Sequence, residues 1–309
     1  MSREYLEEII LKINKRTNIR NEILEKDYYV CLILKELAKK QDKLQAYFKG
    51  GTALYKIINQ FSRFSEDIDL TVVEDKNASK TSNIKRLKKS AFDYNINGLE
   101  LIKEETIDKK QNITAFYNYN PIFNQNLLFK SGKVQIESTS FTISEPTKTY
   151  FIEPLIVKYA TPEEKYILES NFNVSGFNIE IIKLERIFVD KIFAAEFYYE
   201  RKMFKDVSKH LYDLTILLQN DVVKNLLKNK EMLKDLINIK RKEESFRIGG
   251  IPENKKISDF QYLNETFTQD LIDTFEQMQN YYIIGEENKI NLKEVNNSIK
   301  YLKEILKNY

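Results

Sequence analysis

Residues 48–70 read FKGGTALYKIINQFSRFSEDIDL. Two glycines open a stretch whose apolar residues recur at helical spacing, and Asp67 and Asp69 close it with one isoleucine between them. The preceding QAYF has the composition of a short strand. The following DIDLTVVE alternates, with Ile68, Leu70 and Val72 on one face and Asp67, Asp69 and Thr71 on the other. Strand, Gly-Gly, helix, then a strand with two same-face carboxylates decides the fold class: an α+β domain on a small mixed sheet. A lone D-x-D is commonplace and a lone Gly-Gly is more often a turn than a phosphate cradle. The information lies in their combination.

Carboxylates at i and i+2 of a strand stand roughly 6.5–7 Å apart along the chain, so their oxygens can converge on two cations about 4 Å apart. Such a pair activates an attacking hydroxyl and neutralises a triphosphate leaving group. Gly50 and Gly51 let backbone N–H groups approach phosphate at the positive end of a helix, and Thr52 adds a hydroxyl in its first turn. This is the arrangement of a nucleotidyltransferase. A third carboxylate is needed to take the proton from the acceptor hydroxyl. In GKVQIESTS, Val134 and Ile136 point to the core, which puts Glu137 on the opposite face. Glu137 is either that third metal-binding carboxylate or an exposed edge-strand charge, and the spacing leaves both open.

Composition narrows the chemistry. One histidine, His210, and one cysteine, Cys31, exclude a centre built from several His or Cys ligands, so a metal here is held by oxygen: magnesium or manganese. Cys31 lies in the apolar YYVCLILKEL and reads as a core thiol in a reducing compartment. With 309 residues, 42% hydrophobic and 31% charged, the chain is long and apolar enough for one large or two ordinary globular domains. The net charge of +3 declares no global attraction for nucleic acid. Basic residues do cluster, at Lys76, Lys80, Lys85, Arg86, Lys88 and Lys89, and again from Lys224 through Lys228, Lys230, Lys234 and Lys240 to Arg241 and Lys242. Such runs are solvated faces or phosphate-contacting patches. With no signal peptide and no transmembrane-length apolar run, the expected location is cytoplasmic, with no membrane partner.

The first 40 residues read as helices, 76–110 as mostly helical, 111–160 as strands including FIEPLIVKYA, and the chain from about Ile179 as helical nearly to its end. That order implies an α+β domain over 1–175 followed by a helical bundle over 176–309.

FKGGTALYK followed by RFSEDIDL, with EKDYYV at residues 25–30 upstream, resembles the AbiEii/AbiGii toxin-type nucleotidyltransferases, a branch of the polymerase-β-like superfamily. The resemblance spans about residues 25–214. It implies a bilobed enzyme that uses a nucleoside triphosphate and magnesium. Some members of the family transfer nucleotides to the acceptor end of tRNA, and they are commonly encoded with a transcription-factor-like antitoxin. It also implies a lysine and an aspartate from the helical lobe, at positions matching Lys191 and Asp213. Lys191 shares an apolar stripe with Leu184, Phe188 and Ala195, where a lysine either snorkels or meets a partner such as triphosphate oxygens. Asp213 would hold Lys191, position a metal-bound water or contact the ribose. Arg63 and Lys56 are phosphate contacts or surface charges, and His210 is a helix-surface or hydrogen-bonding residue. The expected activity is transfer of a nucleoside monophosphate to RNA, the tRNA 3′ end. The alternatives are a protein or small-molecule acceptor, or a catalytically silent nucleotide- or partner-binding module.

Overall fold

The computed structural model describes residues 1–58, 62–109, 111–123 and 132–309. Its elements sort into two compact units. The first contains helices α1 (Arg3–Thr17), α2 (Asn21–Ala38), α3 (Gln41–Leu44), α4 (Gly50–Ile57), α5 (Lys80–Phe92), α6 (Leu155–Lys158) and α7 (Pro162–Phe172). Its strands are β1 (Ala46–Lys49), β2 (Ile68–Val72), β3 (Glu100–Leu101), β4 (Ile107–Lys109), β5 (Asn112–Asn118), β6 (Lys133–Thr139), β7 (Thr147–Ile152) and β8 (Phe177–Ile182). They form one mixed sheet in the order β3-β5-β6-β2-β1-β8-β7, with β4 paired to β5. The pairs β1–β8 and β2–β6 are parallel, whereas β1–β2, β5–β6 and β7–β8 are antiparallel. The expected α+β class is the class observed.

Local chemistry explains most boundaries. Ser2 caps α1 and Asn18 ends it in the left-handed region, while Thr161, Pro162 and Glu164 start α7 with a capping box. On β2, Ile68, Leu70 and Val72 are buried as the alternation requires. Thr71 departs from the pattern: it is fully buried, and its hydroxyl donates to the Thr142 carbonyl at 2.9 Å. Two segments differ from the sequence reading. FIEPLIVKYA ends β7 at Ile152 and then forms α6, because Pro154 stops the ladder and pre-sets a helix entry. FNIEII forms β8 where helix was expected from about Ile179, since its buried isoleucines suit a strand paired to both β1 and β7.

The second unit contains Ser62, Arg63 and Lys183–Tyr309. Its helices are α8 (Leu184–Tyr199), α9 (Phe204–Leu217), α10 (Asp221–Lys228), α11 (Lys230–Phe246), α12 (Gln261–Asn264), α13 (Gln269–Tyr282) and α14 (Leu292–Leu306). Helix α9 runs between α8, α13 and α14 and is buried through Val207, Leu211, Leu214 and Leu217. Arg63 joins this unit through a bridge to Ile283. Among the described residues, no helix is long and apolar enough to cross a membrane.

Candidate active site

The first wall of the site is the β1–α4 turn. Gly50 has φ +82°, a conformation that side chains rarely adopt, and a Cβ there would stand 2.0 Å from Asp69 Oδ2. The glycine is therefore required twice over, by its backbone and by the carboxylate lying over it. Lys49 pairs with Asp69 in the β1–β2 ladder, which fixes that overlap. Gly51 continues α4, whose N-cap residue Lys49 makes no side-chain capping bond, and the first-turn N–H groups of a helix favour an anion. Thr52, expected to add a hydroxyl for phosphate, is buried; Oγ1 donates to the Asp67 carbonyl at 2.5 Å and lies 3.0 Å from Ser65 Oγ. Here the hydroxyl braces the chain entering the carboxylate strand. We expect Gly50→Ala to cost about 1–3 kcal/mol of stability through backbone strain. Displacement of Asp69 should add a loss of transfer, and calorimetry with an initial-rate assay separates the two effects.

The second wall is the carboxylate row. Asp67 immediately precedes β2 and Asp69 lies within it, both half-buried on the face opposite Ile68 and Leu70. Asp69 stands in parallel register with Glu137 on β6, so the two residues share a face across one interstrand spacing of about 4.8 Å. Asn112 Nδ2 donates to Glu137 Oε1 at 2.7 Å and orients it. The structure thus brings Gly50, Asp67, Asp69 and Glu137 together in one unit. Among the described residues no three His, Cys, Asp or Glu converge into a cage able to hold an ion unaided. Hard oxygen donors in an open row fit magnesium, which commonly takes one or two carboxylates and completes its shell with substrate phosphate and water.

Behind both walls lies the EKD of the EKDYYV segment. All three charges are buried on α2, and each reaches a different part of the first unit. Glu25 accepts from the N–H groups of Ile122 and Phe123 at 2.7 and 3.1 Å. Lys26 pairs with Glu66, the residue before Asp67, at 3.1 Å and donates to the Lys133 carbonyl at the start of β6. Asp27 pairs with Lys56 of α4 and accepts from Leu155 N at 2.6 Å. One helical turn therefore clamps the glycine helix, the aspartate strand and the Glu137 strand to a common support. Lys56 is neither a phosphate contact nor a surface charge. Cys31, beside Asp27, is a buried core thiol pushed up to about 12 by burial.

In the second unit, Lys191 and Asp213 meet. Lys191 Nζ lies 2.8 Å from Asp213 Oδ2. Arg63 grips the same carboxylate with two donors, Nε to Oδ1 at 2.6 Å and Nη2 to Oδ2 at 2.8 Å. Asp213 is fully buried, Arg63 3% exposed and Lys191 6% exposed. Burial alone would raise the Asp213 carboxyl, but the charges of Arg63 and Lys191 outweigh it and hold the group well below the usual carboxylate range. Asp213 is the ion-pair partner of Lys191 among the described residues, so N–H donors remain on the ammonium. Of the roles left open for Asp213, holding Lys191 is the one this geometry displays.

His210, one turn before Asp213, stacks on Tyr198 at 5.4 Å, and its Nδ1 is buried without a hydrogen-bond partner. Burial and the Lys191 charge keep the ring neutral, well below its ordinary value of 6.5. Unfolding lets the ring take up a proton. Its contribution to stability is therefore complete above pH 6.5 and declines below it, by up to about 1.4 kcal/mol per pH unit. His210→Gln should remove that component, which chemical denaturation on either side of the ordinary imidazole value will read.

Sequence reasoning missed Arg63 as the clamp on Asp213, because 150 residues separate the two and neither has a local pattern that names the other. It also placed Lys240 in a basic run. That lysine is buried against Glu244 at 2.8 Å, and the nearby Arg186 meets Glu243 at 2.5 Å. Acidic residues within KRKEE were the available signal for that inward-facing network.

Comparison with known proteins places these residues in a family. A search of curated proteins returns no match. Solved structures that match include MenT4, a nucleotidyltransferase toxin from Mycobacterium tuberculosis, at 13% identity and a TM-score of 0.44, covering 98% of this chain and 99% of that one. The family model for the nucleotidyl transferase AbiEii toxin of type IV toxin–antitoxin systems matches residues 32–282, a span containing the glycine turn, the three carboxylates, Lys191 and Asp213. The chain belongs to that family and is a toxin-type nucleotidyltransferase.

Proposed function

We propose that the protein transfers a nucleoside monophosphate from a nucleoside triphosphate to an RNA acceptor, the 3′ end of tRNA, with magnesium, as the toxin partner of a cognate antitoxin. The observation that carries this reading is the Asp69–Glu137 register beside the Gly50 turn, which sets two carboxylates next to an uncapped helix start. Asp67, Asp69 and Glu137 would hold the metal, which when bound would lower the pKa of the attacking hydroxyl and offset charge on the triphosphate. Gly50 and Gly51 present backbone N–H groups to the phosphates. Glu137 accepts the proton as the acceptor oxygen bonds to the α-phosphorus and pyrophosphate departs. Asp213, fixed by Arg63, orients Lys191, and Lys191 supplies positive charge to the departing group. Hydroxyl attack with pyrophosphate loss balances without any redox partner.

The test is incubation with each labelled nucleoside triphosphate, magnesium and total tRNA, followed by mass spectrometry of the RNA. The expected product is tRNA extended at its 3′ end by one nucleotide type. Folded protein that labels no RNA with any nucleotide would sink the acceptor assignment. Label in a lysate that survives nuclease but not protease would move the acceptor to protein.

A further inference from the structure

The helical unit carries a surface unlike the rest of its exterior. Arg201 and Arg247 both lie against the ring of Phe197, with guanidinium carbons 3.7 and 3.4 Å from its centroid. Two planar cations that close to one centroid must occupy opposite faces, so the ring is sandwiched between them. Arg201, just beyond α8, donates to the Phe197 carbonyl at 2.6 Å and also to the Gly249 carbonyl, tying the end of α8 to the loop after α11. That loop turns at Gly249 and Gly250, where a Cβ on Gly250 would meet the Glu244 carbonyl at 2.1 Å. The turn leaves apolar groups in water: Ile248 is 93% exposed and Phe246 66% exposed, with Met203 also exposed nearby in sequence to Arg201.

The two arginines are partly balanced, so the positive field comes chiefly from exposed lysines nearby. Glu200, 3.9 Å from Arg201, is engaged by Lys255 at 2.8 Å. Glu244, 3.7 Å from Arg247, is buried and taken by Lys240 at 2.8 Å. Lys202, Lys205 and Lys242 are exposed close by in the chain and add positive charge. Guanidinium planes, an exposed phenyl ring and exposed aliphatic groups in a basic field are the combination on which unpaired bases stack while the backbone phosphates are neutralised. A duplex hides its base faces, and an acidic peptide has no use for flat stacking planes.

We propose that the end of α8 together with the 246–250 loop is a docking surface for a single-stranded segment of the RNA acceptor. The inference rests on the RNA reading above, and it places RNA contact on α8 beyond Lys191. From Lys191 to Tyr199, the last residue of that helix, is about 12 Å at the α-helical rise.

Direct binding tests it without relying on transfer. Anisotropy of a fluorescent single-stranded RNA of about 12 nucleotides, within the usual span of such surfaces, is titrated against the full chain at several salt concentrations. The same RNA annealed into a blunt duplex serves as the comparison. We expect preference for the single strand, and roughly tenfold weaker binding by Phe246→Ala with an unchanged salt slope, as befits a stacking residue. Lys202→Ala should instead lower the log–log salt slope by about 0.7, the signature of one lost single-strand phosphate contact. Both side chains are exposed, so melting temperature should stay level; Ile248→Ser is a further variant with the same expectation as Phe246→Ala. Equal RNA affinity for the wild type and all three variants overturns the proposal. So does wild-type protein that binds no RNA but binds a poly-glutamate peptide through these residues, which would make the surface a protein-docking site. If single strands bind here but no RNA is ever labelled, the transfer reading fails and the docking surface stands.

Discussion

Asp69→Asn is expected to lower nucleotide transfer by roughly a thousandfold while leaving the metal-free protein folded. The two halves of this expectation have different origins. Transfer falls because one of the oxygen donors in the carboxylate row is exchanged for an amide that holds a divalent ion weakly. The fold persists because asparagine is nearly isosteric with aspartate, and at this position the like charge of Glu137 on one neighbouring strand is set against Lys49 directly opposite on the other. Asparagine also fits the space over Gly50 that aspartate occupies. Thermal melts with and without magnesium separate metal binding from fold: the wild type should rise with the ion, by mass action, and the variant should not. A variant that transfers at the wild-type rate would remove Asp69 from the reaction. A variant that melts far earlier would make its role structural.

Arg63→Ala carries the second large effect, and it falls on stability. Among the described residues, the guanidinium supplies two of the three contacts to a fully buried carboxylate. Without it, Asp213 keeps Lys191 as its counter-ion among the described residues, but Oδ1 loses its charged donor, and leaving a buried acceptor unsatisfied costs about 1–3 kcal/mol. Denaturant unfolding should show that loss directly. The pH dependence supplies an independent reading. Asp213 titrates below the ordinary carboxylate range in the native state, so the cluster's stabilisation is complete above that range and lost as pH falls toward the native value. In Arg63→Ala the native value rises toward the ordinary one, so the acid limb starts at the same pH but is shallower and ends sooner. Lys191→Met should behave in the opposite sense. Arg63 still grips Asp213, so the stability loss is smaller, whereas transfer collapses if the lysine acts on the leaving group.

The parts of the site written in local sequence were legible. The β1, α4 and β2 run and the β6 strand could be read from apolar spacing, and same-face geometry at i and i+2 put Asp67 beside Asp69 before any fold was known. The face of Glu137 followed from Val134 and Ile136, although its register with Asp69 did not, because a parallel pair is joined by a long connection whose length fixes nothing. What escaped was everything that depends on burying a charge. Nothing in the composition of EKD on α2 announces burial, yet all three residues are enclosed because each has a partner on a different element. Arg63 reads as a phosphate contact or a surface charge beside the aspartates; its partner lies on α9. Thr52 illustrates the same limit on a smaller scale, since a hydroxyl's donor is spent on whichever acceptor the fold brings nearest.

The excursion of Ser62 and Arg63 into the second unit, between two stretches of the first, bears on how the chain is made and how it can be recombined. Arg63 leaves the ribosome 150 residues ahead of the aspartate that receives it, an interval of roughly 7–30 s at ordinary elongation rates. Until α9 emerges, the link between the glycine helix and the aspartate strand lacks its anchor. A cut at the apparent border after Ile182 would therefore not yield two interchangeable cassettes. Grafting residues 183–309 onto another chain would carry Asp213 and Lys191 without Arg63, so the graft must take residues 62–63 along with the helices.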